Sequence, residues 1–227
     1  DVVLLHGCCH NPCGADLNKE QWQQVRDAAL KQGFSVFIDL AYQGLGDGLD
    51  EDVYGVRLMA EALSELIVVT SCSKNFGLYR ERVGAMTLVC ETPQEATVAT
   101  TLIAAAARAM YSMPPDHGAA IVQLILNNPS LRHEWDKELT EMRNRINGLR
   151  AQFVKHIKAV GVEQDFSFIE REKGMFSFLG VSVNQVQSLV NDYSIYLVNS
   201  SRINVAGIND DNIDYLASSL AAVLKAG

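Results

Sequence analysis

Apolar positions along the chain follow two rhythms, and the change falls near residue 130. Before it, short β-rich runs at 2–5, 36–38, 67–70 and 85–89 alternate with stretches of helical spacing, the pattern of a mostly parallel sheet covered by helices. Trp22, Val25 and Ala29 mark one face of a helix over 20–31 that stops at Gly33, a residue suited to a left-handed C′ position. Further helices are predicted over 54–63, 94–110 and 117–127, with Ser112-Met113-Pro114-Pro115 as the break between the last two. After Pro129, the positions Leu131, Trp135, Leu139, Met142, Ile146, Leu149, Phe153 and Ile157 keep a single helical period. That period runs for roughly 30 residues, about 45 Å, long enough to join two domains. Beyond it the pattern predicts a hairpin at 166–179 turning at Glu172-Lys173-Gly174, a helix over 182–193, and a strand pair at 195–199 and 202–205. A last helix is predicted with Asp210 as its N-cap and Ile213, Leu216, Leu220 and Val223 on its buried face. The fold class is therefore α/β, a mostly parallel sheet flanked by helices, with a small α+β domain attached. Residues 1–142 are assigned to the main domain and 143–227 to the small one, with the helix at about 130–159 joining them.

Composition narrows the functional classes. Among 227 residues, 19 Lys plus Arg against 27 Asp plus Glu give a formal charge of −8, which disfavours nucleic acid and anionic membrane surfaces as partners. The apolar runs stop well short of the roughly 18 residues that span a bilayer. Five cysteines with no secretory leader point to a reducing cytoplasm. The chain opens at Asp1 and enters an apolar run at once, so an upstream portion is expected.

Ligands of parallel sheets gather beyond the carboxyl ends of the strands. Three such ends carry polar groups: His6 to Gly14 after the first strand, Asp39-Leu40-Ala41-Tyr42 after the second, and Ser71-Cys72-Ser73-Lys74 after the third. Asp39 follows a buried run, where a carboxylate needs a cation or hydrogen-bond donors; a helix cap or structural ion pair would serve equally well. Lys74 stands alone among hydroxyls and an amide, although most lysines are solvated and inert. Arg82 and Arg202 lie beside strand-like runs, where guanidinium groups capture carboxylate or phosphate, or remain surface charges. Taken together, the set has one economical explanation: pyridoxal phosphate needs a lysine for its Schiff base, an acid at its ring nitrogen, donors at its phenolic oxygen and a cationic clamp on its phosphate.

The strings HGCCHNPCG, DLAYQGLGDGLDED, SCSKNFGLYRERVGA, ARAMYSMPP, GMFSF and SSRINVAG, in that order, resemble the aspartate and aromatic aminotransferases of the class I group over essentially the whole chain. The resemblance implies a pyridoxal-phosphate-dependent transferase of fold type I. Residues 1–142 would then be the C-terminal part of its large cofactor-binding domain. It implies that Lys74 carries the cofactor and shuttles the substrate α-proton, that Asp39 pairs with the pyridinium nitrogen, and that Tyr42 and Asn11 hydrogen-bond the phenolic oxygen. Ser71, Ser73 and Arg82 would hold the phosphate, and Arg202 and Asn11 the α-carboxylate end of the substrate. Arg108 would reach the distal carboxylate from a neighbouring subunit, making a homodimer part of the site. The implied reaction is transamination between L-aspartate and 2-oxoglutarate, giving oxaloacetate and L-glutamate; an aromatic amino donor is the alternative. Family members more often have Thr at position 13 and Asn at position 113, where this chain has Cys13 and Met113. The family's chain is near 400 residues, so this sequence is read as a C-terminal portion with little or no turnover alone.

Three other chemistries compete. Ser71-Cys72-Ser73-Lys74 reads as S-x-x-K, the motif of a lysine-activated serine hydrolase, but no K-T-G or S-D-N accompanies it. Cys8, Cys9, His10 and Cys13 offer metal ligands without the second cluster that zinc sites draw on, so no metal is expected. Gly44-Leu45-Gly46-Asp47-Gly48 has Leu49 where a dinucleotide fingerprint needs its third glycine. A half-molecule that only dimerises is the non-enzyme reading, and it predicts no covalent adduct on Lys74.

Overall fold

The four β-rich runs of the first half form one sheet, in a computed structural model that describes residues 1–226. Its strands are β1 (Val2–His6), β2 (Ser35–Leu40), β3 (Leu66–Ser71) and β4 (Gly84–Val89), in that spatial order. β1, β2 and β3 are parallel, with His6 beside Asp39 and Asp39 beside Val69; β4 returns antiparallel, with Ser71 beside Gly84. Crossovers α1 (Lys19–Gln32) and α2 (Tyr54–Ala62) separate the parallel strands. α1 starts at Asn18, whose side chain accepts from the Gln21 N–H while Gln21 returns the bond to the Asn18 N–H. It ends at Gly33 in the left-handed region, as its sequence predicts. Alternation along β2 sends Val36 and Ile38 into a core with Trp22, Ala29 and Met59. Asp39, of the opposite parity, faces the other side of the sheet.

Contacts divide the chain into two compact units: Asp1–Cys8 with Leu17–Thr140, and Cys9–Asp16 with the chain from Glu141 onward. The first also contains α3 (Pro93–Tyr111) and α4 (His117–Asn127), and α5 (Pro129–Ala159) runs on from it into the second. In the second unit, Ile146, Leu149, Phe153 and Ile157 of α5 form one core with residues of α7 (Val183–Tyr193) and α8 (Ile213–Ala226). The same unit carries α6 (Ser167–Arg171) and a two-stranded antiparallel sheet of β5 (Phe176–Phe178) and β6 (Arg202–Asn204).

Several elements differ from the sequence pattern, some for a local reason and some for a tertiary one. Residues 166–179 are not a hairpin. Asp165 accepts bonds from the Ser167 N–H and hydroxyl, which turns the chain into α6. The carbonyls of Ile169, Lys173, Gly174 and Phe176 then bond to the buried Arg150 guanidinium. The only strand left there, β5, pairs with β6, so 195–199 is not a strand either; Ile195 and Leu197 instead pack against the core. α8 begins at Ile213 rather than at Asp210, because Asn209 accepts from the Asp211 and Asn212 N–H groups and holds a turn before it. Segment 9–16, placed with the main domain by sequence order, packs with the second unit. Its Gly14 carbonyl accepts from the Lys173 N–H at 2.9 Å, and a Cβ on Gly174 would lie 2.4 Å from the Cys9 Cβ.

Candidate active site

In the first unit the candidate groups sit at or just past the carboxyl ends of adjacent parallel strands. Asp39 is the penultimate residue of β2 and half-buried, and its Oδ1 accepts from the Ala41 N–H at 3.0 Å. Tyr42, two residues beyond the strand, is buried. Lys74 follows β3 by three residues, and its Nζ lies 4.7 Å from the centroid of the Tyr42 ring. The lysine and the phenol proposed from sequence are therefore brought into contact, with an electrostatic attraction between cation and ring face.

The backbone that presents this pair is tightly tied. Buried Asp52 accepts from the N–H groups of Gly44, Gly46, Asp47 and Gly48, closing the loop that follows Tyr42. Asn75, next to Lys74, donates through Nδ2 to the Gln43 carbonyl at 3.2 Å, while its own carbonyl accepts from Trp135 Nε1 at 2.8 Å. The Trp135 ring stacks on Phe76 at 4.5 Å. Asn75 Oδ1 is buried with no hydrogen-bond partner.

Ser71 Oγ accepts from the Ser73 N–H at 3.1 Å, and Ser73 is buried. β3–β4 pairing brings residue 83 back beside this turn, where the Val83 carbonyl accepts from the Cys72 N–H. Arg82, one residue earlier, is exposed, has a φ of 53° and donates from Nη1 to the Tyr79 carbonyl. Burial pushes the Cys72 thiol above its usual pKa. Arg108 is exposed in the last turn of α3.

The second unit holds the other two sequence candidates together. Arg202, at the start of β6, donates from Nη1 to Asn11 Oδ1 at 3.3 Å, and its guanidinium carbon lies 4.8 Å from the Phe176 ring centroid. In the same unit Cys13 Sγ is 3.0 Å from His10 Nδ1. No group of three or more His, Cys, Asp or Glu side chains among the described residues is arranged to hold a metal ion.

Sequence reasoning missed Asp52, Asn75, Phe176 and Arg150. Arg150 carried a legible signal: it stands four residues after Ile146 and three before Phe153, on the apolar stripe of α5, where a charge must be fully satisfied. Asp52 carried a weaker one, an acid at the close of a glycine-rich loop.

The profile of the aminotransferase class I and II family matches residues 1–220. The chain is 54% identical over 224 residues to an aspartate aminotransferase of Haemophilus influenzae, covering 99% of this chain and 57% of that protein. It is 48% identical to the Escherichia coli aspartate aminotransferase, with the same two coverages. Among solved structures, an aromatic-amino-acid aminotransferase of Burkholderia pseudomallei, covalently bound to pyridoxal phosphate, superimposes with a TM-score of 0.96 at 44% identity, covering 98% of this chain and 56% of that one. The chain thus spans a little over half the length of the relatives it matches.

Proposed function

The chain belongs to the class I and II aminotransferases, and from that premise we propose that it contributes to transamination between L-aspartate and 2-oxoglutarate, giving oxaloacetate and L-glutamate. The observation that carries the reading is the placement of Lys74 Nζ against the Tyr42 ring, with Asp39 on the strand next to the one that leads to Lys74. With Ser71, Ser73 and Arg82 at or near the neighbouring strand ends, that set suits pyridoxal phosphate: a primary amine for its aldehyde, a carboxylate for its ring nitrogen, and hydroxyls with a guanidinium for its phosphate. The cofactor, when bound, supplies the carbonyl that takes up the amino group and a ring that accepts the electron pair of the broken C–H bond.

Lys74 would be the attachment point, and its amine would take up and return the substrate α-proton. Asp39 would hold a proton on the ring nitrogen. The Tyr42 hydroxyl and the Asn11 amide would donate to the phenolic oxygen, and Ser71, Ser73 and Arg82 would bind the phosphate. Arg202 takes the α-carboxylate, since a guanidinium fork matches a carboxylate geometrically. Arg108, exposed near the end of α3, takes the distal carboxylate across a homodimer. The compartment is the cytoplasm, in keeping with five cysteines that form no disulfide among the described residues. No helix of the described residues is long and apolar enough to cross a membrane.

An aromatic donor is the second reading, favoured by the TM-score of 0.96 to an enzyme named for that activity. Comparing aspartate, tyrosine and phenylalanine as amino donors, with the polypeptide carrying this chain, separates the two. Aspartate is expected to give a kcat/KM at least about ten-fold above either aromatic donor, a gap of ~1.4 kcal/mol. Equal or reversed values would transfer the assignment to the aromatic group.

A further inference from the structure

Arg150 is the most completely buried charge among the described residues, with a relative exposure of 0%, and it touches none of the groups assigned to chemistry above. Its guanidinium spends every donor on one short stretch of chain. Nε and Nη2 donate to the Gly174 carbonyl at 3.2 and 2.6 Å, and Nη2 also donates to the carbonyls of Lys173 at 3.2 Å and Phe176 at 2.8 Å. Nη1 donates to the Ile169 carbonyl at 3.0 Å and to Ser177 Oγ at 2.6 Å, and Glu172 Oε2, which accepts from the Ser177 hydroxyl, lies 3.5 Å away as the counter-charge. A stabilising salt bridge would need one partner. This side chain instead fixes the path of residues 169–177.

That path leads to Arg202 by two routes. Phe176, whose carbonyl Arg150 holds, carries the ring that lies 4.8 Å beneath the Arg202 guanidinium. In the β5–β6 ladder, Phe176 faces Asn204 and Phe178 faces Arg202, so the strand that Arg150 anchors is the strand that bears on Arg202. The second route runs through the segment carrying Asn11. The Lys173 N–H donates to the Gly14 carbonyl at 2.9 Å, and Gly14 and Gly174 lie so close to Phe176 and Cys9 that an added Cβ would sit 2.6 Å from the Phe176 carbonyl oxygen and 2.4 Å from the Cys9 Cβ, respectively. Asn11, within that segment, accepts from Arg202 Nη1. Ring below and amide beside are thus both referred to one buried guanidinium.

We infer that Arg150 is a positioning residue for carboxylate capture: it sets the orientation of the Arg202 fork through Phe176 and the 9–16 segment, and so governs affinity for the α-carboxylate of the substrate. This rests on the proposed role of Arg202. A lysine at 150 keeps the charge but offers three donors from one atom, too few to hold four carbonyls and a hydroxyl spread across the guanidinium plane.

The test uses the polypeptide carrying this chain, loaded with pyridoxal phosphate, and the variants Arg150→Lys and Phe176→Leu. Calorimetric binding of succinate, a four-carbon dicarboxylate that cannot react, is measured beside cofactor affinity and the KM and kcat for aspartate. Arg150→Lys is expected to weaken succinate binding and raise KM by about ten-fold, while cofactor affinity and kcat stay within about two-fold. Phe176→Leu is expected to act in the same direction by about three-fold, and it decides the matter should Arg150→Lys not fold. Unchanged succinate affinity in the folded variants, or equal losses of succinate and cofactor affinity, would overturn the inference. Absence of cofactor binding in the unsubstituted protein would instead refute the functional reading beneath it.

Discussion

At the scale of single residues, environment and not residue type separates the groups that matter. Burial raises the pKa of the Cys72 thiol, so less of it is thiolate near neutral pH. Iodoacetamide at pH 8 is therefore expected to alkylate Cys72 several-fold more slowly in the folded protein than in the urea-unfolded chain, as followed by peptide mass spectrometry. Equal rates would contradict the burial argument. Glu172 is also raised, first by desolvation, with the Ser177 hydroxyl and Arg150 pulling the other way. Its folded form thus holds a proton more tightly than the unfolded chain does. The associated stability is fully present below the ordinary glutamate value of about 4.3 and is lost as pH rises through the raised folded value. Urea unfolding from pH 4 to 7 should accordingly show the stability of the unsubstituted protein, relative to Glu172→Gln, falling as pH rises; a flat or rising difference would refute this. Lys74, Asp39 and Tyr42 stand out in sequence because each follows a β-rich run. Arg150 is masked in sequence by the apolar spacing of α5 on either side of it.

At the scale of elements, the first half was legible because its strands are short β-rich runs, β2 alternating cleanly, and because Gly33 and the Ser112-Met113-Pro114-Pro115 break stop α1 and α3. The region from 166 to 205 was not, since β5 and β6 have three residues each and are paired across 24 to 28 positions of sequence, a distance local pattern cannot see. What directs them is the donor array of Arg150, a tertiary cause. Elsewhere one side chain likewise organises a loop: Asp52 accepts four backbone N–H groups between Gly44 and Gly48. Asp52→Ala would leave these donors unpaired, and an expected loss of at least ~3 kcal/mol in chemical denaturation follows from the usual cost of buried unsatisfied groups. A loss below ~1 kcal/mol would mean that water replaces the carboxylate. Gly14 has a φ of 75° and no room for a Cβ beside the Phe176 carbonyl oxygen. Gly14→Ala is expected to cost at least ~2 kcal/mol by the same measurement.

At the scale of the whole molecule, α3 buries no residue, and Val98, Leu102, Met110 and Tyr111 on it are exposed. Apolar surface of this kind marks an association face in soluble proteins, and a second copy is the partner that the proposed role of Arg108 calls for. The polypeptide carrying this chain should sediment as a dimer, and Leu102→Glu should shift it toward monomer; a monomer at micromolar concentration without the substitution would remove Arg108 from the site. All of this depends on Lys74 as the cofactor's anchor. The most direct measurement is borohydride reduction of the polypeptide carrying this chain in the presence of pyridoxal phosphate, followed by peptide mapping. A single phosphopyridoxyl adduct on Lys74, lost in Lys74→Ala, is the expected result; adducts scattered over surface lysines with Lys74 unmodified would contradict the account.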